Sequence, residues 1–239
     1  MTIPRPRAAT RSWFAIRAQA ESDEVEVLIY DYIGWGGVEA AEFTKQLQAI
    51  TAKAITVKIN SPGGDVFDGL AIYNTLKAHA AAITTKIDGI AASAASIIAM
   101  AGQRIVMGDG AFLMLHNPWA LAIGNANEMR EMAAVLDKIG DSLAGIYADR
   151  AKSTKEQARA WMDAESWFSA QDAKAAGLAD EIVSGTASAS AAFDLSGYSH
   201  PPEALRPSPH TQTEDQDATR RAAIMRRRLS LVERGEQSR

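Results

Sequence analysis

The feature that most restricts the fold of this 239-residue chain is the regular alternation of strand-like and helix-like segments through its first half. Val25-Glu-Val-Leu-Ile-Tyr30 is dominated by β-branched and aromatic residues and predicts a strand. Phe43, Leu47 and Ile50 then fall at helical spacing within a helix predicted over about residues 38–51. A strand at Ala54–Ile59, a helix over about 66–79 with Val66, Leu70, Tyr73 and Leu76 on one face, and a strand at Ile83–Ile87 repeat the pattern. Strands separated by helices of this length pair in parallel through right-handed crossovers, so the fold class is α/β, built from repeated ββα and βαβ units.

Downstream, the apolar run after Ser93 predicts a short buried helix that Gly102 ends. Arg104–Met107 and Ala111–Leu115 predict two short strands around a Gly108-Asp-Gly110 turn, with His116 at the end of the second. A long helix is predicted over about 125–150, where Met129, Met132, Leu136, Ile139, Leu143 and Ile146 form a narrow apolar seam. Such a seam packs on its own core or, in a projecting helix, on a partner subunit. A further helix from Ser153-Thr154 to about Met162, a segment Ser166–Phe168, a helix capped by Ser169 and stopped by Gly177, and a strand at Asp180–Val183 complete the pattern.

The chain therefore divides into a loosely structured lead-in over 1–20, a globular domain over 21–184, and a flexible linker with a basic tail over 185–239. The linker is rich in Ser, Ala, Pro, Thr and His without periodicity. A net charge of −4 predicts no nucleic-acid partner, and the absence of an apolar stretch of spanning length predicts no membrane partner. Without cysteine there is no disulfide framework, thiol catalysis or Cys-type zinc site, which fits a reducing cytoplasm. No metal or cofactor is expected.

Ser93 and His116 carry the chemistry. A serine nucleophile needs a base, a carboxylate to orient that base, and donors for an oxyanion. Ser93 lies in Gly89-Ile-Ala-Ala-Ser93, where small side chains let a substrate backbone approach. Taken alone it reads as a helix N-cap. Ser96 competes as nucleophile, but a serine inside a helix tends to bond back to a carbonyl. Of the four histidines, His79 closes a helix and His200 and His210 lie in the linker, which leaves His116 as the base. The Ala94 amide is one expected oxyanion donor, and the Ser61-Pro-Gly-Gly64 turn supplies the other, from Gly64 with Gly63 as the alternative.

Four segments, Asn60-Ser-Pro-Gly-Gly-Asp65, Gly89–Ser93, Leu113-Met-Leu-His-Asn-Pro118 and Trp167–Ala173 continuing to Gly177–Ile182, resemble in order and spacing those of the Clp protease proteolytic subunit. Ile29–Trp35 and Glu165–Phe168 are similar to the phage and prophage branch, the Clp-like head maturation proteases. The resemblance covers about residues 24–184. It implies a crotonase-like fold, a projecting long helix, a homo-oligomeric ring of self-compartmentalising type and serine endopeptidase activity. Ser93 would be the nucleophile, His116 the base, and Glu165, or alternatively Asp163, the third member. The implied substrates are capsid or scaffold proteins, cleaved in the host cytoplasm or the assembling prohead. The lead-in does not resemble the loops by which Clp subunits engage an ATPase, and no Walker motif is present. Two other functions are compatible with the fold: a catalytically inactive structural or scaffold ring subunit, and a crotonase-type acyl-CoA enzyme.

Overall fold

The computed structural model describes residues 16–18, 23–34, 36–184 and 193–205. Residues up to Pro201 belong to one compact unit; of a second, Pro202–Arg239, the described part is a single 3-10 turn, Glu203–Leu205. In the first unit the strands are β1 (Ile16–Ala18), β2 (Glu24–Ile29), β3 (Ala54–Ser61), β4 (Ala82–Ala92), β5 (Arg104–Gly108), β6 (Phe112–Leu115), β7 (Ser166–Ser169) and β8 (Glu181–Val183). The helices are α1 (Ala40–Gln48), α2 (Val66–Ala78), α3 (Ala94–Ala99), α4 (Ala126–Ala151), α5 (Lys155–Asp163) and α6 (Ala170–Ala175).

The sheet runs β1-β2-β3-β4-β5-β8, with every pair from β2 to β8 parallel, as the alternating pattern predicts. Its strands bury Val27, Ile29, Ile55, Val57, Ile59, Ile87 and Ile105, and the helices bring Phe43, Leu47, Ile72, Leu76, Ile97, Ile98 and Tyr147 into the same core. Each such side chain contributes about 1.5–3 kcal/mol by leaving water. All six residues of α3 are buried, in keeping with its all-round apolar sequence.

Three elements differ from the sequence reading. Ile16–Ala18, placed in the loose lead-in, is a strand antiparallel to β2, with Arg17 opposite Glu26. Three residues are too few to show a period, so the edge of β2 decides their conformation rather than their own pattern. Strand β4 runs well past Ile87, and this extension builds the site. Thr84–Ile87 pair with β5, whereas Ile90–Ala92 pair with β6, so one strand changes neighbours along its length. Finally, within the predicted linker, Phe193–Pro201 pack on the globular unit: Leu195 is buried and the Phe193 ring meets Tyr32 edge-on at 6.1 Å. The basic residues 220–234 lie outside the described residues.

The seam on α4 divides in two. Leu143 is buried and Ile139 and Ile146 pack against the core, whereas Met129 and the neighbouring Val135 are 37% and 46% exposed. The approach to the helix exposes Trp119, Leu121 and Ile123 as well. No helix among the described residues is long and apolar enough to cross a membrane.

Candidate active site

The ends of β4 and β6 meet at Ser93. Strand β4 delivers it, the Ser93 amide donates to Met114 O at 3.1 Å, and Ala92 pairs with Met114, so the hydroxyl lies beside the end of β6. His116 is the next residue but one after Met114. The Ser93 hydroxyl and His116 Nε2 share a hydrogen bond of 2.7 Å. The two groups are brought together by sheet pairing, not by sequence proximity.

Ser93 occupies the N-cap position of α3 but makes no side-chain cap bond, and its backbone stands at φ 54, ψ −125. A non-glycine residue in this region costs about 1–3 kcal/mol. The strain turns the hydroxyl away from the helix amides and toward the imidazole. Ser96 behaves as its helical position predicts: its hydroxyl donates to Ser93 O at 2.6 Å and contacts the Tyr147 hydroxyl at 2.8 Å inside the core. His79 caps the end of α2, its Nδ1 accepting from the Ala81 amide.

Burial holds His116 below the ordinary histidine range, and the negative charge of Glu165 opposes this. A neutral imidazole is the form that accepts a proton. For the Ser93 hydroxyl to donate to Nε2, the ring proton sits on Nδ1, and the group facing Nδ1 then sets the orientation of the base.

The register of β6 against β7 bears on that group. Leu115 pairs with Ser166 at the end of this ladder, and His116 and Glu165 are the residues just beyond that last pair. Asp163 lies elsewhere, accepting from Asn117 Nδ2 at 2.7 Å. Glu165 sits at φ 47 and its side chain is already engaged: Oε2 accepts from the Ser199 amide at 3.0 Å and Oε1 from the His200 amide at 2.7 Å, with Trp167 Nε1 at 3.5 Å. Burial pushes this carboxyl up, but those donors and His116 outweigh it and hold the group below the ordinary glutamate range. Glu165 therefore faces His116 as a charge, while its hydrogen bonds go to Ser199, His200 and Trp167.

The turn Ser61–Gly64 forms the other wall. At Gly63 (φ 93) a Cβ would fall 2.7 Å from Ser93 Cβ and 3.0 Å from the Ala94 nitrogen, so only glycine allows the turn so close to the serine. The Gly63 amide donates to Ser61 Oγ at 3.2 Å, which commits it within the turn. No such bond within the turn is made by the Gly64 amide among the described residues. Ala94 is the first residue of α3, where an amide has no intrahelical acceptor. Asn60, buried just ahead of the turn, accepts from the Ile90 amide at 3.1 Å and ties β3 to β4 beside the site.

One participant is absent from the sequence reading. Tyr198, from the predicted linker, stacks edge-on against His116 at 5.5 Å and Trp167 at 5.7 Å, and its hydroxyl donates to Pro62 O at 2.5 Å. Burial pushes the phenol up to about 12, with the Ser93 hydroxyl beside it acting in the opposite direction. Its only signal in the sequence is an aromatic residue, with Phe193 close by, in a stretch rich in Ser, Ala and Pro.

Comparison with known proteins agrees with this architecture. The family model described as Clp protease matches residues 21–186. The chain belongs to the Clp protease family. The ATP-dependent Clp protease proteolytic subunit of Bacteroides fragilis is 35% identical over 136 residues, 55% of this chain and 64% of the relative. The subunit of the same description from Bacteroides thetaiotaomicron is 34% identical over 134 residues, covering 55% of this chain and 60% of the relative. The match thus spans somewhat under two thirds of these relatives' own length. A ClpP1 point mutant from Listeria monocytogenes superposes with a TM-score of 0.60 at 26% identity, covering 67% of this chain and 91% of that one.

Proposed function

We propose that this chain is a serine endopeptidase in which Ser93 is the nucleophile, His116 the general base and Glu165 the residue that orients and charge-balances the imidazole. The 2.7 Å bond between Ser93 and His116 Nε2 carries the reading. In the first step Ser93 Oγ attacks the scissile carbonyl while its proton passes to Nε2. The resulting oxyanion is met by the amides of Gly64 and Ala94. The imidazolium then returns the proton to the leaving amine, and a water molecule repeats the sequence on the acyl-enzyme. Support for Glu165 over Asp163 as the third member comes from the β6–β7 ladder, whose last pair, Leu115 and Ser166, directly adjoins His116 and Glu165, and from the bond that ties Asp163 to Asn117. The bonded hydroxyl–imidazole pair favours this reading over acyl-CoA enolate chemistry and over a purely structural subunit, neither of which calls for it.

The proposal includes a homo-oligomeric ring of self-compartmentalising type. Supporting it are the exposed Met129 and Val135 on the first half of α4 and the exposed Trp119, Leu121 and Ile123 before it, which form an apolar face suited to a second copy of the chain. The biological substrates we propose are capsid or scaffold proteins during phage head maturation, supported by the similarity of Ile29–Trp35 and Glu165–Phe168 to that branch. Mass spectrometry of particles assembled with the native chain and with Ser93→Ala tests both claims. New peptide termini are expected only with the native chain; identical termini in both preparations would overturn the reading.

A further inference from the structure

The segment Phe193–Pro201 packs against His116, Glu165 and the Ser61–Gly64 turn. It is held at three points. Phe193 packs its ring edge-on against Tyr32 at 6.1 Å, Leu195 is 5% exposed, and Tyr198 is wedged between His116 and Trp167 with its hydroxyl on Pro62 O. Pro62 belongs to the same turn as the proposed oxyanion donor Gly64. The next two residues turn their backbone amides onto the two oxygens of Glu165, at 3.0 and 2.7 Å. In this arrangement one short segment touches the base, its carboxylate partner and the oxyanion turn.

We propose that Phe193–Pro201 is an intramolecular ligand of the catalytic cleft, anchored by Tyr198, which a peptide substrate must displace. The inference rests on the peptidase reading of Ser93 and His116. Two physical consequences follow from the contacts. The Tyr198 ring fills the space beside His116 that a substrate residue next to the scissile bond would occupy. The Ser199 and His200 amides also hold the Glu165 oxygens, so departure of the segment frees that carboxylate to turn toward His116 Nδ1. Docked, the segment both blocks access and diverts the orienting group. Because it is part of the same chain it competes at a fixed effective concentration, and the apparent reactivity of the site is reduced by the fraction of molecules in which it is docked. Anchoring by a tyrosine further implies that the cleft accepts an aromatic side chain in a substrate peptide.

The test uses the full chain with Tyr198 native, changed to Phe, or changed to Ala. Two quantities are read: amide hydrogen exchange at Ser199 and His200, and the rate at which a fluorophosphonate modifies Ser93. The native amides are expected to be protected. Tyr198→Ala should expose them and speed labelling by about tenfold or more, the change expected when a mostly closed population opens. Tyr198→Phe, which keeps the ring and loses the bond to Pro62 O, should fall between. Unprotected amides in the native chain overturn the proposal. So do labelling rates that are equal in all three chains, and so does slower labelling in Tyr198→Ala, which would make the segment a positioning element for Glu165. Labelling absent from every folded chain has a different meaning, since it overturns the peptidase reading and the inference built on it together.

Discussion

Two segments flank the Ser93 hydroxyl, and they are held in opposite ways. The turn Asn60–Asp65 is fastened mainly by backbone: Ile33 N donates to Gly63 O, Asp65 N donates to Ile33 O, and one buried side chain adds to these, the Asn60 Oδ1 accepting from the Ile90 amide. Its glycines leave no room for a side chain. The segment Phe193–Pro201 is fastened by three side chains and two amides, and at Gly197 a Cβ would meet nothing within 4 Å. The wall beside the proposed oxyanion site is thus tied to the sheet, while the segment opposite rests on contacts that can be exchanged for those of another peptide. In the proposed mechanism, rigidity sits where charge develops and replaceable contacts sit where substrate passes.

The largest effect that could break this comparison is on chemistry. Ser93→Ala should lower peptide hydrolysis by several orders of magnitude while circular dichroism and the melting temperature stay close to native, since the hydroxyl makes no cap bond that the fold depends on. Retained hydrolysis would move the nucleophile elsewhere. Next in size is Gly64→Ala, where the added methyl would fall 2.0 Å from Ile33 O on a backbone at φ 153. We expect a loss of about 3 kcal/mol, read as a drop in melting temperature of about 6–12 °C. Gly197→Ala sharpens the contrast, since the same substitution on the exchangeable segment should leave stability within about 0.5 kcal/mol of native.

A smaller effect concerns pH. Burial lowers His116 and Glu165 raises it, so the base is neutral from below the ordinary histidine range upward and the rate should rise with pH through that lowered value. Glu165→Gln removes the opposing charge. The acidic limb of the rate profile should then move to still lower pH, even as the maximal rate falls. A limb that moves to higher pH, or does not move, would separate Glu165 from His116.

The candidate site residues are legible in the sequence because each has few competitors. Few histidines are present, and among the described residues only His116 ends a strand; Ser96 lies within an apolar helix, where its hydroxyl bonds back to a carbonyl. The parallel sheet followed from the alternation of periods because each helix is long enough for a crossover. What local sequence could not supply was register. Glu165 and Asp163 are two residues apart, and choosing between them requires the pairing of Leu115 with Ser166, a property of two strands distant in the chain. The extension of β4 to Ala92 was similarly hidden, because its second partner, β6, follows only after α3 and β5. Tyr198 was hidden for a further reason. Its anchoring residues Phe193 and Leu195 have no shared period with it, so composition pointed to a linker while individual side chains found pockets in a surface already formed.

The central claim is that the Ser93 hydroxyl is activated by the imidazole of His116, and its most direct test is the site and rate of fluorophosphonate modification in the native chain and in His116→Ala. One adduct per chain on Ser93, formed about 10²–10⁴ times more slowly without the imidazole, is the predicted result. An adduct on another residue, or equal rates in the two chains, would contradict it.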